Sequence, residues 1–192
     1  ISISEIKKKH KLDVNKTLLV AASRIEPDKG YDLLIDSISD LNKEIRKDII
    51  LLIIGDGSQT LELKNRVNVS NLDNIIKFKK WLEFDEYREL ITIADIFVHP
   101  ARFDAFGGGT LFAMGAGIPI IGSDGAGAIK ERVIDDYNGF VFKSGDKKTL
   151  SKKIEILVKN KELRKNFGNN ARETATMWTP NKGAKTLLNN IT

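Results

Sequence analysis

The 192-residue sequence contains no cysteine, which removes disulfides, thiolate nucleophiles and thiolate metal sites together. Two histidines, His10 and His99, are too few for a histidine-rich metal centre. No apolar run is long enough to span a bilayer, and the basic N-terminal cluster KKKHK leads into no apolar stretch, so neither a membrane helix nor a signal peptide is read. A G-x-x-x-x-G-K-S/T loop is absent, which argues against a P-loop nucleotidase. The G-x-G-x-x-G fingerprint is absent as well, because IIGDGSQT carries Thr60 where its third glycine would stand. Asn15, Asn68 and Asn190 open N-x-S/T triplets, read as chance since nothing else suggests export. No methionine opens the chain, which is expected to be part of a longer protein.

What is present describes a folded domain of ordinary size, 41% hydrophobic and 30% charged. The net charge of +5 favours anionic partners without naming one. Its lysines are scattered over helix faces without aromatic platforms, so nucleic acid is not expected among them.

From Thr17 to Phe142 short apolar runs alternate with longer amphipathic ones. TLLVAAS (17–23), DIILLIIG (48–55), NIIKFKK (74–80), DIFVHP (95–100), IPIIGS (118–123) and GFVF (139–142) read as strands. Their nearly continuous apolar character fits strands covered on both faces. Helices are expected over 29–44, with Leu33, Leu34, Ile38 and Leu41 on one stripe, over 58–69 and over 84–94. The alternation predicts an α/β domain, a Rossmann-like parallel sheet with helices on both faces. No repeat or low-complexity linker divides residues 1–192, and 146–192 read as closing C-terminal helices, the last starting at Thr179-Pro180.

Candidate chemistry lies in the loops after the strands, where open parallel sheets bind ligands. SRIEPDKGYD places Arg24 and Lys29 where they could clamp a diphosphate, or simply decorate a surface loop. IIGDGSQ offers Gly55 and Gly57, for close ligand approach or for a tight turn. In ARFDAFGGGTLFAMGAGIP, Gly107 and Gly108 would open a helix with bare N–H groups, an anion site or a packed turn. Asp104 just before it would repel a phosphate, so it faces a neutral sugar hydroxyl or caps the turn. Glu131, after a further glycine turn, is read as a surface ion-pair partner.

These loops in this order resemble the nucleotide-sugar-binding, C-terminal half of the retaining glycosyltransferases with two facing Rossmann-like domains, the GT-B type of group 1 or family 4. SRIEPDKGYDLLIDSI is similar to that family's G-R-x-x-x-x-K-G-x-D segment, with Ser23 in place of Gly. IIKFKKWLEFDEYRELITIADIFVHPAR is similar to its F-x-G…E-L…A-D…P-S segment, with Lys79 or Lys80 near its usual glycine. The resemblance implies transfer of a sugar with retention from a UDP-sugar or GDP-sugar to a glycan or lipid-linked acceptor, without a required cofactor or metal. It implies that Arg24 and Lys29 neutralise the diphosphate and that Gly55, Gly57, Lys80, Phe106, Gly107 and Gly108 lie about the donor. Asp104 would be the first carboxylate of the family's E-x7-E pair, and the second, which accepts from ribose hydroxyls, should fall at 112. Position 112 is Phe112, which cannot accept those bonds. The implied alternative is a catalytically degenerate domain acting as a binding or scaffolding partner. Acceptor groups would come from an N-terminal domain missing here, leaving this piece inactive alone. A cytoplasmic setting is expected, with the basic charge drawing the protein to an anionic inner membrane face.

Overall fold

The computed structural model describes residues 2–189, so Asn190 lies outside the described residues. All six apolar runs are strands of one parallel sheet: β1 (Thr17–Ala22), β2 (Ile49–Ile54), β3 (Ile76–Lys79), β4 (Ile96–His99), β5 (Ile120–Ser123) and β6 (Gly139–Phe142). Their order is β3-β2-β1-β4-β5-β6. Chain direction along the sheet reverses between β1 and β4, which opens a crevice beyond their carboxyl ends.

Side chains alternate across the sheet with the two-residue period of a strand. Leu19, Ala21, Leu51 and Ile53 enter one core, and Leu18, Val20, Leu52 and Ile54 the other. The first core is covered by α2 (Tyr31–Ser39), α4 (Thr60–Val69) and α8 (Lys147–Lys159), through Leu34, Ile38, Leu63, Val67, Leu150 and Ile154. The second lies under α5 (Phe84–Thr92), α6 (Gly108–Gly115) and α7 (Gly127–Arg132), through Leu90, Ile91, Ala113, Met114 and Ile129. Ala171 of α9 (Lys161–Ala175) joins that second face, and α10 (Pro180–Asn189) follows.

Two features depart from the sequence reading. The helix expected over 29–44 is two helices, because the Asn42 side chain accepts the Glu44 N–H and starts α3 (Lys43–Lys47) afresh. The basic N-terminus also contains a helix, α1 (Ile3–Lys9), opened by a Ser2–Glu5 capping box. It is anchored by polar contacts: buried Lys7 reaches Asp95 at 3.3 Å and the Lys16 carbonyl at 3.1 Å. His10 Nε2 stands 3.0 Å from Glu89 Oε2 and His10 Nδ1 3.6 Å from Glu86 Oε1, both carboxylates belonging to α5.

Candidate functional site

The crevice holds a cleft of about 570 Å³ above β1, β2 and β4. Its polar end is built by stitching the β1–α2 loop to the β4–α6 loop. The N–H groups of Arg102 and Phe103 both donate to the Asp28 carbonyl, at 2.7 and 3.1 Å. Arg102 forks onto both oxygens of Asp32, at 2.8 and 2.7 Å. Lys29 is buried between these loops: its Nζ donates to the Phe103 carbonyl and lies 3.0 Å from Asp28 and 3.4 Å from Asp104.

Asp104 caps the following turn, accepting the N–H groups of Phe106 at 3.2 Å and Gly107 at 3.0 Å on Oδ1. Its Oδ2 faces His99 Nε2 at 3.2 Å and Lys29. His99 first, then Lys29 and the Phe106 N–H, hold the Asp104 carboxyl well below the usual carboxylate range against the opposing effect of burial. His99 itself is buried, and its Nε2 lacks the alignment of a hydrogen bond with any partner among the described residues. Gly107, at φ 63°, brings the backbone against it: a Cβ there would stand 2.9 Å from the Ala128 Cβ and 3.4 Å from His99 Nε2.

Helix α6 therefore starts at the cleft floor. Of its terminal N–H groups, that of Gly107 is taken by Asp104 and that of Thr110 by the Gly107 carbonyl. Those of Gly108 and Gly109 have no loop or side-chain partner among the described residues, and both glycines line the cleft. Arg24 lines it too; it is exposed, its carbonyl accepts from the Ser23 hydroxyl, and its side chain, which acts on Glu26 only through space, makes no hydrogen bond or ion pair among the described residues. Lys29 faces two carboxylates, so Arg24 is the one lining cation whose charge is unpaired among the described residues. An anion at this spot meets a guanidinium and the positive end of a helix.

Another part of the lining is aromatic. Trp81 and Leu82 come from the β3–α5 loop, Phe84 and Tyr87 from α5, and Phe112 from α6. Phe112 meets Phe84 and Tyr87 edge-on, with ring centroids 5.8 and 6.2 Å apart. Burial pushes the Tyr87 phenol up to about 12, so it stays a neutral hydroxyl at neutral pH. Trp81 is 70% exposed and Phe112 49%.

Of the residues singled out in the sequence, Arg24, Lys29, Asp104, Gly107, Gly108 and Phe112 line this one cleft. Gly55 and Gly57 do not; they pack on the carbonyls of Ser23 and Ile25, where a Cβ would come within 2.0 and 2.3 Å. Phe106 does not line the cleft; its ring lies over Gly108 and stacks on Arg132, 5.1 Å from the guanidinium, which Trp178 flanks at 4.6 Å. Lys80 is exposed beside the lining residue Trp81. Glu131 pairs with Arg132 at 3.7 Å. Trp81, Tyr87, His99 and Gly109 were not among the expected site residues; Trp81 and His99 carried a signal, since each stands at the carboxyl end of a predicted strand.

The family model for glycosyl transferases group 1 matches residues 2–174. The chain belongs to the group 1 glycosyltransferase family. Among its relatives this group 1 chain is 34% identical over 161 residues to the uncharacterized glycosyltransferase MJ1178 of Methanocaldococcus jannaschii, covering 84% of the chain and 43% of the relative. It is 28% identical over 172 residues to the capsular polysaccharide biosynthesis glycosyltransferase CapM of Staphylococcus aureus, covering 86% of the chain and 43% of CapM. The chain thus spans less than half the length of these curated relatives. Its fold superposes on Anabaena Alr3699/HepE in complex with UDP and glucose with a TM-score of 0.82 at 23% identity, over 91% of the chain and 47% of that protein. The crystallised C-terminal domain of the Francisella tularensis group 1 protein LpcC is matched at a TM-score of 0.81 and 22% identity, over 92% of each chain. In size and fold this group 1 chain fits the C-terminal domain of a GT-B glycosyltransferase.

Proposed function

We propose that this chain is the nucleotide-sugar-binding domain of a retaining glycosyltransferase that passes a hexose to a glycan or lipid-linked acceptor. The observation that carries the reading is the convergence on one cleft of Arg24, whose side chain has no ion pair among the described residues, and the free N–H groups of Gly108 and Gly109. In the leaving step the bond between the anomeric carbon and the diphosphate breaks, and negative charge collects on the nucleotide. Preorganised donors at that position stabilise it more in the transition state than in the ground state. Arg24 would contact the diphosphate. Lys29, already neutralised, would act at one remove by holding Asp104 and the Phe103 carbonyl in place.

The UDP and glucose bound by HepE support a nucleotide sugar as the ligand class. The acceptor site would lie on a further domain facing the cleft, so the whole protein, at the cytoplasmic side of an anionic membrane, would be the active unit. Phe112 favours a second reading, a domain that has lost transfer and serves as a partner for another transferase, since no carboxylate stands at that turn of α6.

Calorimetric titration with UDP, GDP and their sugar conjugates tests the proposal. Saturable binding that weakens about tenfold in Arg24→Ala is expected. Flat titrations with every nucleotide would leave only the degenerate reading standing.

A further inference from the structure

Phe106 stands immediately before the glycines that open α6, and it is held at its backbone and at its ring. Its N–H donates to Asp104 Oδ1, its carbonyl accepts from Arg132 Nη1 at 3.3 Å, and its ring lies 3.7 Å from where a Cβ of Gly108 would stand. The same ring covers the Arg132 guanidinium, which Trp178 also covers.

Arg132 ends α7 and is buried. Its carbonyl accepts from the Asn138 amide at 3.0 Å, and that amide also reaches the Thr174 hydroxyl of α9 at 3.1 Å. Trp178 closes the short 3-10 turn Thr176–Trp178 that follows α9. The C-terminal segment thus reaches the glycine turn by two routes, one through Asn138 and one through the Arg132 side chain. Neither runs through the cleft, which Phe106, Arg132, Asn138 and Trp178 do not line.

Hydrogen bonds alone do not account for the buried guanidinium. Nη1 has the Phe106 carbonyl, Nη2 stands 3.7 Å from exposed Glu131, and Nε has no hydrogen-bond partner among the described residues. The two aromatic faces supply the remaining attraction and keep water off it. With Trp178 gone, water would satisfy the guanidinium donors, and the Phe106 carbonyl would lose its anchor. The free N–H groups of Gly108 and Gly109, one and two residues past Gly107, would then be less well aligned for an anion.

We propose that Arg132, gripped by Phe106 and Trp178, is a positioning residue for the glycine turn, so that the C-terminal segment sets the donor affinity of a cleft it does not line. The inference rests on the reading of that cleft as a nucleotide-sugar site.

Calorimetric titration of UDP into the chain, Trp178→Ala, Trp178→Phe and Arg132→Lys tests it, together with urea unfolding and the Gly108 amide chemical shift of each. Affinity is expected to fall about two- to fivefold in Trp178→Ala, the range of one cation–π contact, and to return in Trp178→Phe. Arg132→Lys, which keeps the charge and loses the flat face, is expected to match Trp178→Ala. The Gly108 amide shift should move and return with the affinity. A role in stability alone would lower the unfolding free energy and leave the affinity of the folded chain as it was. Unchanged affinity in Trp178→Ala and Arg132→Lys would therefore overturn the inference while leaving the nucleotide site in place. Absence of UDP binding by the unaltered chain would remove the nucleotide reading itself, and this inference with it.

Discussion

At the polar end of the cleft Lys29 and Asp104 find their partners inside the domain, whereas at the aromatic end Trp81 and Phe112 keep large apolar surfaces in water. The first arrangement positions backbone and side chains before any ligand arrives, at a cost already met in folding. The second leaves area that only a ligand, or another domain, can bury. The comparison separates two kinds of residue that a motif treats alike. Lys29 and Arg24 lie five positions apart, yet one is a strut between two loops and the other an unpaired charge facing the cleft.

Substitutions can break that comparison. Gly107→Ala forces a side chain into a left-handed conformation with its Cβ 2.9 Å from that of Ala128. It should cost about 2–4 kcal/mol, read as a lower urea midpoint at unchanged slope. Asp104→Asn weakens the cap and the ion pair with Lys29 and should cost about 1–3 kcal/mol at neutral pH. The Asp104 carboxyl has a folded pKa below its ordinary value of 3.8, so its stabilisation is fully present above that value and is lost as pH falls toward the folded one. The variant should therefore flatten the acid limb of the stability profile below about pH 4, measured by denaturation at a series of pH values.

At the ligand-facing positions the pattern should invert. Arg24→Ala is expected to leave the unfolding free energy within about 0.5 kcal/mol of the parent while lowering UDP affinity by about 1.5 kcal/mol. An equal loss of stability would show that Arg24, like Lys29, belongs to the framework. Trp81→Ala should have the smallest effect, about 1 kcal/mol of nucleotide affinity from lost stacking on the base, with no change in thermal midpoint. Unchanged affinity would place the base elsewhere than on this ring.

The sheet was legible in the sequence because its strands other than β3 are short, nearly continuous apolar runs buried on both faces, from TLLVAA to GFVF, while the edge strand β3, IKFK, alternates apolar and charged residues. Helix α1 was not, because its apolar signal is only Ile3 and Ile6, and besides the packing of Ile6 it is held by Lys7 to Asp95 and His10 to Glu89, polar contacts across roughly eighty residues. The break between α2 and α3 turned on a single cap at Asn42. The loop motifs located one end of the cleft: Arg24, Lys29, Asp104 and the α6 glycines do meet there. Their division of labour was hidden, since whether a lysine is neutralised depends on Asp28 and on a carbonyl at position 103, 74 residues away. The aromatic end was harder still, because Trp81, Tyr87 and Phe112 become neighbours only when α5 and α6 pack side by side.

The central claim is that the ligand is gripped at the start of α6 between Arg24 and the aromatic end. Amide and indole chemical shifts recorded while UDP is added to the chain test it most directly. The account predicts the largest shifts at the Gly108 and Gly109 amides and the Trp81 indole. Still signals there, with shifts gathered instead at the basic groove of Lys16, Lys43 and Arg46 at the amino ends of the strands, would contradict it.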